Sequence, residues 1–312
     1  MNNVLITGIT GKSGKYMLRE MIKNSEQLKD FNFRISVRAS SDTAEIDKCD
    51  LNIEKYVGEL DDLNYIDSLT DFNGENWTLV HIAGIGKSLN LVEAAVRHNV
   101  KRMILVHTTG IYSKYKAAGE QYRLIEAKIN DILKRKKIGL TILRPTMIYG
   151  NLNDQNISVF IRMVDKLSLF PTVNGAKYEL QPVWCGDLGK AYYEVLMHPE
   201  TTIDKNYNLS GRTPILLIDI FHTIEQYLGK KNRYFSVPFG IAYPGAVMIY
   251  IITFGKKDYR EKVQRLVEPR VFSHLEATKD FGYDPADFQT GVKNEIMEYI
   301  ENKESQKRNG SV

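Results

Sequence analysis

Apolar and polar positions alternate in blocks along the first half of the chain. An apolar run at 4–6 is followed by a glycine-rich turn and by a segment at 15–22 with helical spacing. Further strand-like segments stand at 33–38, where apolar and polar residues alternate, and at 56–58, 78–83, 103–106 and 140–143, the last closed by Arg144 and Pro145. Each is short enough for a strand and is bounded by turn-forming or polar residues. Between the fourth and fifth runs, residues 88–98 place Leu91, Val92, Ala95 and Val96 on one side, as an amphipathic helix requires. Between the fifth and sixth, Ile125, Ile129 and Ile132 keep a helical period that starts near Tyr122. Strands alternating with helices predict an α/β fold built on a doubly wound parallel sheet, occupying residues 1–150.

After Gly150 the rhythm changes. Residues 159–167 read as a helix and 178–184 as a strand, with Asp187 placed to cap a helix running to Met197. Residues 206–210, around Tyr207, Asn208 and Leu209, are expected to return to the main sheet as an added strand. From about Pro214 the chain reads as helices and loops. No Pro- or Ser-rich linker intervenes, so 151–301 is expected to form a smaller mixed lobe interleaved with the first, and 302–312 a frayed polar tail. The stretch 239–254 carries no charged residue. It falls short of the ~20 residues a spanning helix needs, and Pro244 interrupts it. A buried or pocket-lining helix is expected there, with a dimer or lipid-surface contact as the alternative; no segment is expected to span a membrane.

The first turn carries chemistry. Residues 7–14 read Thr-Gly-Ile-Thr-Gly-Lys-Ser-Gly between strand and helix. Gly8 allows the tight turn, Gly11 lets a pyrophosphate approach the backbone, and Gly14 lets the helix pack on its strand. The helix N-terminus then offers amides and a positive dipole end to phosphates. This is the turn of a Rossmann-type dinucleotide-binding fold.

Composition narrows the picture. The 312 residues, 43% of them hydrophobic, support a large α/β domain plus a lobe. A formal charge of +4 with mixed signs is too mild to argue for nucleic acid. The basic run 134–137 falls where a helix should end, and there cations complement the dipole. Cys49 and Cys185 offer neither a metal spacing nor a disulfide framework, so no metal is expected and a reducing cytoplasm is the expected compartment. The apolar run at 4–6 reads as a core strand, so no signal peptide is expected.

Several elements in order resemble the short-chain dehydrogenase/reductase superfamily, in its extended and atypical, epimerase/dehydratase-like branches. They are the glycine turn, Gly58-Glu59-Leu60-Asp61, His81-Ile82-Ala83-Gly84, His107-Thr108-Thr109, Leu143-Arg144-Pro145, Gln181-Pro182-Val183 leading to Asp187, and Phe281-Gly282-Tyr283-Asp284-Pro285 followed by Phe288 and Gly291. The resemblance covers nearly the whole chain. It implies a nicotinamide dinucleotide held by Gly8, Thr10, Gly11, Lys12, Ser13 and Gly14. Leu60 and Asp61 would lie near the adenine, Ala83 and Gly84 along the cofactor, and Pro145 and Thr146 near the nicotinamide. It also implies a small-molecule substrate, with a nucleotide sugar as its class and Arg212 or Arg270 for the diphosphate, and a homodimer through the helices flanking strands four and five. Where NAD-binding folds carry a ribose-binding acid after strand two, this chain has Arg38, and Lys12 adds a second cation; Asp42 comes late. An arginine there fits a 2′-phosphate, so NADP is expected in preference to NAD.

The family's chemistry needs a tyrosine with a lysine four residues on, and a Ser or Thr that holds the substrate oxygen. Thr108 and Thr109 fit the last role and Tyr122 the first, but Glu126 occupies the lysine position. A literal Tyr-x-x-x-Lys is formed by Tyr112 and Lys116. His81, His107 and Cys185 read as packed core residues. Three readings stay open: an NAD(P)-dependent oxidoreductase or epimerase, a dinucleotide-binding sensor or structural protein that has lost its lysine, and an atypical quinone or enone reductase.

Overall fold

The computed structural model describes residues 2–72, 75–115 and 117–309. Seven parallel strands form the central sheet: β1 (Asn2–Thr7), β2 (Phe31–Val37), β3 (Ile53–Val57), β4 (Trp77–His81), β5 (Arg102–Val106), β6 (Gly139–Pro145) and β7 (Lys205–Leu209). Their order across the sheet is β7-β6-β5-β4-β1-β2-β3, so the direction of winding reverses beside β1. Side-chain alternation along each strand feeds two different layers. Val4 and Ile6 of β1 join Ile35, Val80 and Ile104 on one face, under Met17 and Met21 of α1 (Gly14–Lys23). Leu5 turns the other way and joins Leu79, Met103 and Leu105. That second face is covered by α2 (Leu63–Thr70), α3 (Ser88–Arg97) and α4 (Gly119–Leu133), through Ile66, Leu91, Ile125 and Ile129.

The second lobe has its own core. It packs α5 (Ile157–Lys166), α7 (Leu217–Leu228) and α11 (Phe288–Asn309) through Ile161, Ile220, Phe221 and Val292. The chain shuttles between the parts. Helix α6 (Cys185–Met197) packs beside α1 through Leu188 and Tyr192, and β7 adds to the edge of the main sheet next to β6.

Several expectations are corrected. The strand expected at 178–184 is two short pieces. Glu179–Leu180 pairs antiparallel with Ile215–Leu216, and Val183–Trp184 pairs parallel with Ile148–Tyr149. Pro182 lacks the N–H that a continuous ladder would use. Asp187 does not cap α6 but sits in its first turn. Its carboxylate accepts from the Ala286 amide at 3.0 Å, and burial pushes its pKa up to about 6. Residues 302–309 of the tail do not fray but continue α11, whose Lys303 donates to Asp165 at 2.5 Å. The largest departure is α8 (Phe239–Ile252). It is helical as expected but largely solvent-facing; among its residues only Ala246 is buried. Helices α9 (Arg260–Leu266) and α10 (Leu275–Phe281) follow it. Among the described residues, no helix is long and apolar enough to cross a membrane.

Candidate active site

The turn between β1 and α1 is shaped by two steric constraints. Gly8 has φ of 82°, and a Cβ there would stand 2.6 Å from the Ala83 nitrogen. Only glycine lets the end of β1 lie that close to the end of β4. At Gly14 a Cβ would stand 2.1 Å from the Gly8 carbonyl oxygen, so glycine is needed for α1 to start beneath the turn. Between them the Gly11 amide donates to Gly8 at 3.0 Å, tightening the loop.

A cavity of about 370 Å³ opens above this turn, at the carboxyl ends of the strands where the winding reverses. Gly8, Thr10, Gly11, Lys12 and Ser13 line it from the turn, Arg38 and Ser41 from the end of β2, Leu60 and Asp61 from the end of β3, and Ala83 from the end of β4. Gly14 and Gly84 are not among the lining residues; they set the backbone, Gly84 with φ of 99°. Asp61 is ion-paired with Lys87, which also lines the cavity. At the end of β2, Ser41 accepts the Arg38 amide at 3.1 Å. Asp42 accepts from the Ala44 amide at 3.0 Å and is not among the lining residues. A bare-backbone turn at a helix start, with Lys12, Arg38 and Lys87 around one cavity, fits the phosphates of a dinucleotide.

Lys12 also lines a second cavity, of about 420 Å³, and its ammonium donates to the Asn153 carbonyl at 2.5 Å across to the second lobe. Thr108, Thr109 and Tyr112 line this cavity from the end of β5, and Thr146 from the end of β6. Pro145 lies beneath, its carbonyl accepting from the Thr109 hydroxyl at 3.2 Å. Thr108 accepts from the Gly110 amide at 3.0 Å, which leaves its own hydroxyl proton free to donate. Thr146 donates to Gln181 at 2.5 Å. The far wall comes from residues 265–272. Glu268 accepts from the Ser113 hydroxyl at 2.7 Å and from the Lys114 amide at 2.9 Å, clasping the β5 loop. Arg270 and Arg265 face the same cavity, each with a buried Nε that meets no acceptor among the described residues.

The two tyrosines part company. Tyr112 lines the second cavity, with the Arg144 guanidinium 5.9 Å from its ring centroid. Lys116, its sequence partner, lies outside the described residues. Tyr122 is not among the lining residues of either cavity; it packs, partly buried, on the apolar layer of α2–α4. Glu126, one turn further along α4, is buried and holds two partners. Arg144 donates to it at 3.0 and 2.5 Å, and His107 Nδ1 lies at 2.9 Å. Burial would push the Glu126 carboxyl up, but the hydrogen bonds from His107 and Arg144 outweigh it and hold it at about 2.

Burial lowers the pKa of both histidines, His81 to about 4. A neutral His107 then donates Nδ1–H to Glu126 and accepts from Ser88 at Nε2, 3.1 Å away. Likewise His81 accepts from Thr7 at 2.6 Å and donates to the Gly84 carbonyl at 3.1 Å. Both rings hold strand ends in place. Burial pushes the Cys185 thiol up to about 11, where it is inert packing. Arg212 is not brought to the site. It pairs with Asp284 at 2.8 Å and donates to Pro285 at 2.9 Å.

Sequence reasoning missed Ser41, Lys87, Arg265 and Glu268. Lys87 carried a readable signal, a cation three residues after Gly84. Glu268 carried none, because its contact to Ser113 spans 155 residues.

No family model matches this chain, and no curated protein matches its sequence. Solved structures do match. The protein gox2253 superposes with a TM-score of 0.74 at 19% identity, covering 97% of this chain and 99% of its own. UDP-glucuronic acid 4-epimerase from Bacillus cereus, in complex with UDP-glucuronic acid and NAD, gives 0.69 at 16% identity, covering 96% and 99%. DesIV, the dTDP-glucose 4,6-dehydratase of Streptomyces venezuelae, with NAD bound, gives 0.69 at 14% identity, covering 96% and 98%. The chain shares the Rossmann-like α/β fold of these structures over nearly its whole length.

Proposed function

We propose that this protein binds NADP in the cavity over the glycine turn and moves a hydride to or from a carbonyl or carbinol carbon in the adjoining cavity. The observation that carries the reading is the meeting of the two cavities at Lys12, which lines both. Gly8, Thr10, Gly11 and Ser13 would receive the pyrophosphate. Arg38, standing where an NAD-binding site has an acid, supports a 2′-phosphate, with Lys12 and Lys87 adding positive potential. When bound, the nicotinamide supplies the hydride chemistry.

The residues of the second cavity divide the remaining work. Thr108 donates a hydrogen bond from its hydroxyl to the substrate oxygen. Thr109 is committed to Pro145 and keeps β5 and β6 in register. Tyr112, on the cavity wall with the Arg144 guanidinium 5.9 Å from its ring centroid, exchanges the proton. We place this step on Tyr112 rather than Tyr122, because Tyr122 packs on the apolar layer. The buried, unmatched Nε groups of Arg265 and Arg270 support a substrate that brings an anion, and a sugar nucleotide like those of the matched epimerases satisfies that.

A second reading rests on Glu126. The place expected to hold a lysine is locked into an ion pair with Arg144, which suits a protein that binds the dinucleotide without turnover.

Calorimetry with NADP, NADPH, NAD and NADH tests the core of the proposal. Tighter binding of the phosphorylated pair is expected, reversed by Arg38→Asp; no heat with any of the four overturns it. Turnover on a panel of sugar nucleotides and simple carbonyls then separates enzyme from binding module.

A further inference from the structure

Helix α8 is apolar all round and yet exposed. From Phe239 to Gly255 the sequence has no charged residue, although a surface helix ordinarily turns charged side chains to water. Ile241, Met248, Ile251 and Ile252 are each 61–68% exposed, and Phe254, just past the helix end, is 93% exposed with a backbone φ of 50°. Such a contiguous apolar patch on a folded protein marks a surface that meets something apolar.

The surroundings select the occupant. Immediately after the apolar stretch come Lys256, Lys257, Arg260 and Lys262, against only Asp258 and Glu261. Lys256 and Lys257 are exposed. Aromatic rings stand at the junction. The Arg260 guanidinium lies 3.8 Å from the Tyr250 ring centroid, and the Lys262 ammonium 5.6 Å from that of Tyr259. Exposed apolar side chains, aromatic rings and lysines thus stand together within 250–262, the residue types that a bilayer's hydrocarbon, interface and anionic headgroups each attract. The 14-residue helix is roughly 21 Å long, too short to cross a hydrocarbon core of about 30 Å, so it lies in the surface. A second copy of the chain suits the patch less well, since a two-fold contact would bring the same lysines together.

We propose that α8 and the loop to Lys262 dock this protein onto an anionic lipid bilayer, with Ile251, Ile252 and Phe254 entering the acyl boundary and Lys256 and Lys257 meeting the headgroups. The docked segment continues directly into the wall of a third cavity of about 750 Å³. Tyr259 and Lys262 line it on this side, and Phe160, Met163, Phe170 and Phe221 line it from the second lobe. Arg265 and Arg270 face both this cavity and the one holding Thr108 and Tyr112. The bilayer surface is thereby placed beside an apolar chamber that adjoins the candidate active site.

Co-sedimentation of the full-length protein with phosphatidylcholine vesicles, with and without phosphatidylglycerol, tests the proposal. Binding is expected with phosphatidylglycerol and is expected to weaken as salt rises. Joint replacement Lys256→Gln and Lys257→Gln should weaken it roughly 30-fold, from about five-fold per charge at an anionic surface. Joint replacement Ile251→Asp and Phe254→Asp should abolish it. These side chains are exposed, so both variants should keep the parent melting temperature and its heat of NADP binding, which separates failure here from failure of the cofactor assignment. Absence of binding to anionic vesicles overturns the proposal. So does a dimer in analytical ultracentrifugation that the Ile251→Asp, Phe254→Asp variant converts to monomer while vesicle binding is nil.

Discussion

The Glu126 carboxylate is gripped by the Arg144 guanidinium through two hydrogen bonds, at 3.0 and 2.5 Å, joining α4 to the end of β6. The pair is buried, with both side chains about one-tenth exposed. Glu126 therefore does structural work where the sequence pattern expects a catalytic lysine. Replacing Glu126 by Gln leaves Arg144 buried without a counter-charge. A loss of about 3–5 kcal/mol is expected, read by urea unfolding. A loss below about 1 kcal/mol, the range of exposed pairs, would show that the pair is solvated.

Tyr112 and Tyr122 can be told apart by removing one oxygen from each. Tyr112→Phe should lower turnover by about 10²–10⁴-fold on any substrate found, with the heat of dinucleotide binding unchanged. Tyr122→Phe should stay within a few-fold of the parent. The opposite result would move the proton to Tyr122.

The glycine turn makes a steric prediction. Gly14→Ala puts a methyl 2.1 Å from the Gly8 carbonyl, so the turn must shift. A loss of about 1–3 kcal/mol from overpacking is expected, together with loss of dinucleotide binding in calorimetry. Unchanged binding would show that the turn is not the phosphate seat.

Stability should depend on pH through Glu295. Glu295 Oε1 and Asp154 Oδ2 are buried and meet no N–H or O–H among the described residues, so a proton held on Glu295 can be donated to Asp154. Burial first, then the charge of Asp154, push Glu295 up to about 9. A raised pKa means the folded state holds a proton that the unfolded chain releases near the usual carboxylate value of about 4.3. The stabilisation is complete below that value and drains away as pH rises toward 9. Glu295→Gln should flatten the fall in urea midpoint between pH 6 and 9. At the acid end Glu126, held at about 2, contributes stability above its unfolded value and loses it as pH falls. A parent protein with no decline between pH 6 and 9 would refute the proton on Glu295.

The sheet was legible in the chain because its evidence is local. Val4, Leu5 and Ile6 are buried on both faces, as a parallel strand requires, and Gly8 and Gly14 mark backbone positions that tolerate no side chain. Most residues lining the cavity over the glycine turn were legible for the same reason: they stand at strand ends. The second lobe was less legible. Its pieces at 179–180 and 183–184 are two residues long and pair with distant segments, so no periodicity announces them.

What the chain determined alone was the alternation of elements and the glycine turn, since both depend on neighbours within a few residues. Tertiary structure decided which tyrosine reaches the cavity, what Glu126 holds, and that Glu268 clasps Ser113. It also decided that α8 faces outward. Apolar composition favours taking a helix out of water; only the packing of the other elements shows that it stays largely exposed.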